Sequence, residues 1–193
     1  MTTEAAPLFF AMACNNAWAN ARLLRACEAL GEDGFSAPRP SYFGSVAATA
    51  NHLLTVDWFY VDALERALAD EPPHPTAGEF FDPEVPHPSL AALAEAQQQV
   101  DRRLIALTRP LGPAEHRIVV RILRRHGESR DSVAGMLAHL FQHQVHHRGQ
   151  IHALLSVAGL APPQLDAFFC RGDAPARAEW LASEGLTEMD VQL

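Results

Sequence analysis

Four long stretches of helix-forming sequence, separated by breaks rich in proline or glycine, are the main constraint on the fold of this 193-residue chain. Proline lacks the amide hydrogen that a helix needs, and glycine favours helix ends, so each break marks a turn between helices. Long helices connected in this way pack their apolar faces together. The sequence therefore predicts an all-α fold, a four-helix bundle. The four stretches span approximately residues 7–30, 43–69, 89–108 and 131–158.

The ends of the third and fourth stretches follow from their flanking residues. Ser89 directly precedes an apolar run and is a good N-cap for the third helix, while either Ser129 or Asp131 is expected to cap the fourth. Between these helices, residues 117–123 are rich in β-branched side chains and predict a short extended connector or a small hairpin. A short fifth helix is expected over residues 175–183.

The charge balance excludes two classes of partner. The chain carries 15 basic against 23 acidic residues, a net charge of -8. Nucleic acids and anionic membranes attract clustered positive charge, so neither is expected to bind. No apolar stretch approaches the roughly 20 residues that cross a bilayer. The N-terminal segment carries Glu4 and no basic flank, unlike a secretory signal, so we expect a cytoplasmic protein with one domain over residues 1–193.

Histidines are concentrated in the fourth helical stretch. Five of the ten histidines fall within fourteen residues of it, at positions 139, 143, 146, 147 and 152. Imidazole is the commonest transition-metal ligand, and two imidazoles four residues apart on a helix can bind one ion. At about 100° per residue, His147 falls on the apolar face and His143 at its edge, whereas the other three point outward. The inward pair is therefore His143 with His147.

A third ligand is expected from another helix, because two imidazoles make a weak site. His52 lies in the second stretch on an apolar stripe with Val56, Phe59 and Ala63, where a polar side chain needs a partner. Three side chains are further candidates for supporting a ligand or touching a substrate, on their phase or position alone. They are Gln150, Arg148 and Asn16.

These residues resemble the hallmarks of the DinB/YfiT-like family of metal-dependent proteins. The string from His139 to Gln150, which places His143 four residues before His147-Arg-Gly-Gln, is similar to one hallmark, and Asn51-His52 followed by Asp57-Trp58 is similar to another. Asn16-Ala-Trp18-Ala-Asn20 is similar to the family's first helix. The resemblance implies a four-helix bundle with nickel or zinc on His52, His143 and His147. It also implies a homodimer and, in some relatives, transferases or isomerases that use a thiol such as mycothiol or bacillithiol.

Three functions are compatible with this sequence. In the first, an enzyme uses a divalent transition metal with open coordination positions to activate a thiol or water, as an S-transferase or hydrolase acting on a small molecule. In the second, the metal-binding bundle is not catalytic and has a structural, sensing or stress-related role. In the third, the chain is a helical dimerisation module whose histidines are incidental. A metalloprotease is not expected, because Gln144 follows His143 where the zinc protease motif has glutamate.

Overall fold

The computed structural model describes residues 7–170, 172 and 174–193, and it is mostly helical. Glu4, which entered the prediction of location, lies outside these residues. Within them, no helix combines the length and the apolar character that crossing a membrane requires. The elements in chain order are α1 Leu8–Cys27, α2 Gly31–Ser36, α3 Val46–Leu68, α4 Leu90–Thr108, β1 Val119–Arg124, β2 Gly127–Ser132, α5 Val133–Val157 and α6 Ala174–Ser183.

The four long helices pack against one another around one apolar core. Helix α1 contacts α4 and α5, and α3 contacts the same two helices. Leucines from all of these helices fill the interior, including Leu23, Leu54, Leu104 and Leu137. A second apolar cluster joins α1 to the C-terminal part of the chain, where Trp18 packs edge-on against Phe168 with ring centroids 5.6 Å apart. The all-α class predicted from the four stretches is broadly consistent with this structure, to which a small two-stranded sheet is added.

Serine residues cap α3, α4 and α5, but the serine that caps α5 is not one of the predicted residues. The Ser89 hydroxyl accepts a hydrogen bond from the backbone amide three residues later, which confirms the predicted N-cap of α4. Helix α5 is capped instead by Ser132, whose hydroxyl accepts from the Gly135 amide at 3.0 Å. The predicted caps Ser129 and Asp131 are wrong, because both residues pair with β1 as part of β2. This pairing keeps the chain extended as far as Ser132.

The predicted small hairpin before the last long helix is confirmed. Strands β1 and β2 pair antiparallel, from Val119 opposite Ser132 to Arg124 opposite Gly127. On β1 the side chains alternate, so that Val120 and Ile122 are buried against the helices. Strand β2 is polar and mostly exposed, and it is therefore held by backbone pairing rather than by apolar burial. Its lack of apolar alternation is the reason that the sequence pattern did not mark it.

The ends of the first two helical stretches also differ from their predicted positions. Helix α1 ends at Cys27, and after one tighter turn the chain reverses at Gly31, whose φ of +65° suits glycine. Gly34, which lies in the break after the first predicted stretch, is inside the short helix α2. Helix α3 begins at Val46 rather than at Phe43, because Ser45 caps it. Phe43 is thereby left in the preceding loop, next to the site described below.

Candidate metal centre

Helices α3 and α5 bring three predicted ligands together. His52 comes from α3, and His143 and His147 come from successive turns of α5; one nitrogen of each ring lies within 4.8 Å of the others. The Nε2 atoms of His52 and His143 are 3.1 Å apart. Two nitrogens that each lie about 2.0–2.1 Å from one ion are separated by about 2.9 Å at a right angle and about 3.4 Å at the tetrahedral angle. The donor set and this spacing therefore fit a divalent transition metal.

The two histidines of α5 that helical phase placed inward are the two whose nitrogens converge with that of His52. His147 is buried and His143 half-buried, whereas His139 and His146 are exposed. The fifth histidine, His152, is half-buried, but its Nε2 lies 3.0 Å from the carbonyl oxygen of Pro163, away from the cluster. The three outward histidines are thus available for other contacts and do not belong to the group of converging nitrogens.

Phe43 forms an apolar wall beside the histidines. Its ring stacks on that of His52, with centroids 4.4 Å apart, and meets that of His147 edge-on at 5.4 Å. An aromatic ring in contact with two imidazoles keeps water from this side of the cluster and limits the orientations of both rings. Sequence reasoning missed this residue. Its position in a loop, where helical periodicity carries no information, explains the omission.

The histidines are held in the neutral form that binds metals. Burial lowers the pKa of His52 to about 4, with a further contribution from the neighbouring His147. Burial and the same neighbour lower the pKa of His143 to about 3. The pKa of His147 is also lowered by burial. At neutral pH the three rings are therefore uncharged, and each offers a nitrogen lone pair.

Gln150 contacts His147 from the next turn of α5. The Nδ1–H group of His147 donates to Oε1 of Gln150 at 2.9 Å, and the Gln150 amide donates to Nε2 of the exposed His146 at 3.2 Å. A side-chain carbonyl oxygen can only accept, so this bond assigns the proton of His147 to Nδ1. The Nε2 atom of His147 is left with its lone pair free. This arrangement is the usual support for a metal-binding imidazole.

Arg148 and Asn16 lie in a buried polar cluster in the middle of the helices. Arg148 donates to the side-chain oxygens of both Asn16 and Asn20. Asn20 in turn donates to Asp101 on α4 at 3.0 Å. All four side chains are almost completely buried. Arg148 and Asn16 therefore contact other buried polar side chains and not the histidines.

The cluster continues to the helices that carry the histidines. Gln97 donates to Asp57 at 2.7 Å and to Asp101 at 3.3 Å, while Gln144 donates to Asp57 from α5. Burial raises the pKa of both aspartates, and the charge of Asp101 raises that of Asp57 further. Pairs of polar residues four apart on otherwise apolar faces could have revealed this cluster. The two pairs are Asn16 with Asn20 and Gln97 with Asp101.

A cavity of about 420 Å³ reaches the histidine cluster at His52. Its walls come from α3 and from the loops on either side of that helix, and they combine aromatic and aliphatic side chains with Glu84 and Thr55. Cavities of about 300–1,000 Å³ bind small molecules in proteins. A larger groove, of about 820 Å³, runs between α1 and α4 and shares no lining residue with this cavity. Chemistry at the histidines would therefore use the smaller cavity.

Comparison with known proteins gives one match. The family model described as DinB family matches residues 1–177, which is most of the chain. No curated protein and no solved structure shows significant similarity to the chain.

Proposed function

The chain belongs to the DinB family, and from this premise we propose that it is a metal-dependent enzyme that activates a thiol or water nucleophile. His52, His143 and His147 would bind one divalent transition metal, zinc or nickel. The observation that carries the proposal is the convergence of three ligand nitrogens within 4.8 Å beside a cavity that reaches His52. Three protein ligands are typical of catalytic sites, since a fourth position stays open to water or substrate.

The side chains around the three histidines prepare them for this role. A bound divalent ion lowers the pKa of a coordinated thiol or water, so that a nucleophile exists at neutral pH. Gln150 holds the proton of His147 on Nδ1, and Phe43 limits the access of water to two of the rings. The low pKa values of His52 and His143 keep protons from competing for the ligand nitrogens.

The cavity beside His52 supports a small-molecule substrate. Its volume of about 420 Å³ suits a low-molecular-weight thiol together with part of an electrophilic acceptor, or a hydrolysable substrate of similar size. Phe43 and Phe81 supply apolar surface. Glu84 supplies a negative group, which favours an amine over a carboxylate at that point of the substrate. We propose either an S-transferase that uses such a thiol or a hydrolase that uses water.

An activity screen tests the enzyme proposal. The protein, stripped of metal and then reloaded with zinc or nickel, is assayed with several low-molecular-weight thiols, electrophilic acceptors and hydrolysable esters. We expect turnover only in the metal-loaded samples, and its loss after chelation. Turnover that is equal with and without metal would contradict the proposal. Metal binding without turnover of any tested substrate would favour the alternative described next.

A non-catalytic role for the ion, structural or stress-related, is the alternative. It is favoured by the location of the ligands on two different helices, since an ion between α3 and α5 would hold them together. Asp57 and Gln144 already join the same helices inside the protein, which reduces the need for a structural ion. Thermal unfolding with and without chelator distinguishes the two roles. A large loss of stability on metal removal indicates a structural ion, whereas a small loss is expected for the enzyme.

Replacing Gln150 by alanine is expected to weaken metal binding without abolishing it. The variant loses the acceptor that holds the His147 proton on Nδ1, and loss of such a partner typically costs about 10–100-fold in metal affinity. Competition with a chromogenic chelator measures the zinc dissociation constant. The matched control is Gln142→Ala, an exposed glutamine of the same helix, which should leave the constant unchanged. Equal effects of the two substitutions would show that Gln150 does not support His147.

We further propose that the four long helices form the four-helix bundle typical of the family, and that residues 1–193 are one domain. Their mutual contacts support the bundle, and the packing of Phe168 and Leu181 against Trp18 supports one domain.

A cytoplasmic location is supported by the three free cysteines, which suit a reducing compartment. A homodimer follows from the resemblance to the family, and sedimentation velocity over a range of protein concentrations would test it.

A further inference from the structure

The groove between α1 and α4 has the size and the walls of a second binding site. It measures about 820 Å³, within the range of small-molecule sites. Its apolar lining includes Ala17 and Ala21 on α1 and Ala94 and Ile105 on α4, and Trp180 of α6 also contributes to its wall. The alanines on the two helices leave an open channel between α1 and α4. An apolar body could lie along it.

Asp101 gives this apolar groove a buried carboxyl group. The side chain is only 5% exposed, yet it is part of the groove lining. Asp101 belongs to the buried polar cluster described above. Among the described residues, that cluster also contains the carboxyl group of Asp57 and the guanidinium of Arg148. Burial raises the pKa of both carboxyl groups, and Asp101 is the one of the two that reaches the groove. Burial disfavours the ionised form of Asp101, although Asn20 and Gln97 donate hydrogen bonds to it, and a cation placed against it in the groove favours that form.

The rim of the groove is negatively charged. Glu28, Glu32 and Glu95 line it, whereas Arg102 is neutralised by its ion pair with Glu184, with an N–O distance of 2.9 Å. One further arginine of the lining, Arg25, offsets only part of this charge. A negative rim around a partly apolar channel raises the local concentration of cations. The indole ring of Trp180 adds a surface on which an ammonium group is attracted.

We propose that the groove between α1 and α4 binds a small organic ammonium ion with an apolar body. The ammonium group lies against the Asp101 carboxylate, and the apolar part lies along Ala17, Ala21 and Ile105. An anion is excluded by the carboxylates, and a neutral molecule of the same shape gains only the apolar contact. This site is separate from the histidine cluster, so it operates whether or not a metal is bound there.

Titration with three matched probes tests the charge requirement. The full-length protein is titrated with n-hexylammonium, n-hexanol and n-hexanoate, and binding is followed by tryptophan fluorescence and calorimetry. We expect one n-hexylammonium ion to bind per chain, and the alcohol and the carboxylate to bind at least about tenfold more weakly, which corresponds to about 1.4 kcal/mol. Equal binding of the alcohol or the carboxylate would overturn the proposal.

Two variants locate the site and one serves as a control. Asp101→Asn removes the charge at nearly constant shape, and Ala21→Phe fills the groove from an exposed position of α1. Both should weaken n-hexylammonium binding at least about tenfold. Ala153→Phe, at an exposed alanine of α5 outside the groove, and His52→Ala should bind as the unmodified protein does. Unchanged n-hexylammonium binding by the Ala21→Phe variant would overturn the location. If the unmodified protein is a dimer without amine and the Ala21→Phe variant is a monomer, a second copy of the chain occupies the groove instead.

Discussion

Substituting His143 by alanine is expected to abolish stoichiometric binding of zinc or nickel at neutral pH. His143 lies close to both other ligands, with its Nε2 atom 3.1 Å from that of His52 and its ring centroid 4.3 Å from that of His147. Loss of a mere supporting hydrogen bond costs about 10–100-fold in metal affinity, so loss of a direct ligand should exceed about 100-fold. Metal analysis after dialysis and competition with a chelator measure the effect. Any metal-dependent turnover should be lost with the metal.

His139→Ala is the matched control for this experiment. His139 lies one helical turn before His143 on α5, but its ring is exposed and stacks on Tyr60, with centroids 5.6 Å apart. We expect this variant to bind metal as the unmodified protein does. Equal losses in the two variants would point to a diffuse histidine-rich surface rather than a defined centre. Full metal binding by the His143 variant would contradict the three-histidine site directly.

Substituting Arg148 by methionine is expected to destabilise the fold by about 3–5 kcal/mol, because removal of one partner leaves buried charges uncompensated. The guanidinium is bonded to Asn16 and Asn20, and through Asn20 it is linked to Asp101. Methionine fills much of the same space, so the loss reports charge and hydrogen bonding more than packing. The midpoint and slope of urea unfolding, followed by circular dichroism, give the free energy of unfolding.

The pH dependence of this loss separates charge from packing. Removing Arg148 raises the already elevated pKa of Asp101 further, so that the folded variant holds a proton which the unfolded chain releases. Stability that depends on such a proton is present at low pH and lost as pH rises. The destabilisation should therefore be smaller at about pH 5 than at about pH 8. Arg103→Met, which breaks an exposed pair with Glu65, should cost no more than about 1 kcal/mol at either pH.

The sequence predicted the parts of the fold that depend on side-chain periodicity and on residues that begin or end helices. The prolines and glycines located the four long helices, and Ser89 marked the start of α4. The start of α5 was misplaced because strand β2 is polar and is held by backbone pairing with β1, which leaves no periodic signal. Helix α2 was not expected, since a glycine inside a helix is indistinguishable by type from one that ends it.

The candidate site shows the same division. Helical phase is a local property, so it selected His143 and His147 on one helix and placed His52 on the apolar stripe of another. Helical phase does not predict contacts between residues that are far apart in the chain. Phe43 meets His147 across more than a hundred residues, and Asp101 meets Asn20 from another helix. Such contacts depend on how the helices are aligned, which no single helix determines.

The bond between Asp57 and Gln144 has a consequence for the supply of metal to the protein. It joins α3 to α5 one residue away from His143, and Gln144 also donates to the backbone oxygen of Leu53, the residue after His52, at 3.3 Å. The ligands are thus ordered when the chain folds, and an arriving ion does not have to order them. We expect the ion to leave and return without unfolding the chain, so that occupancy tracks the free metal concentration of the surroundings.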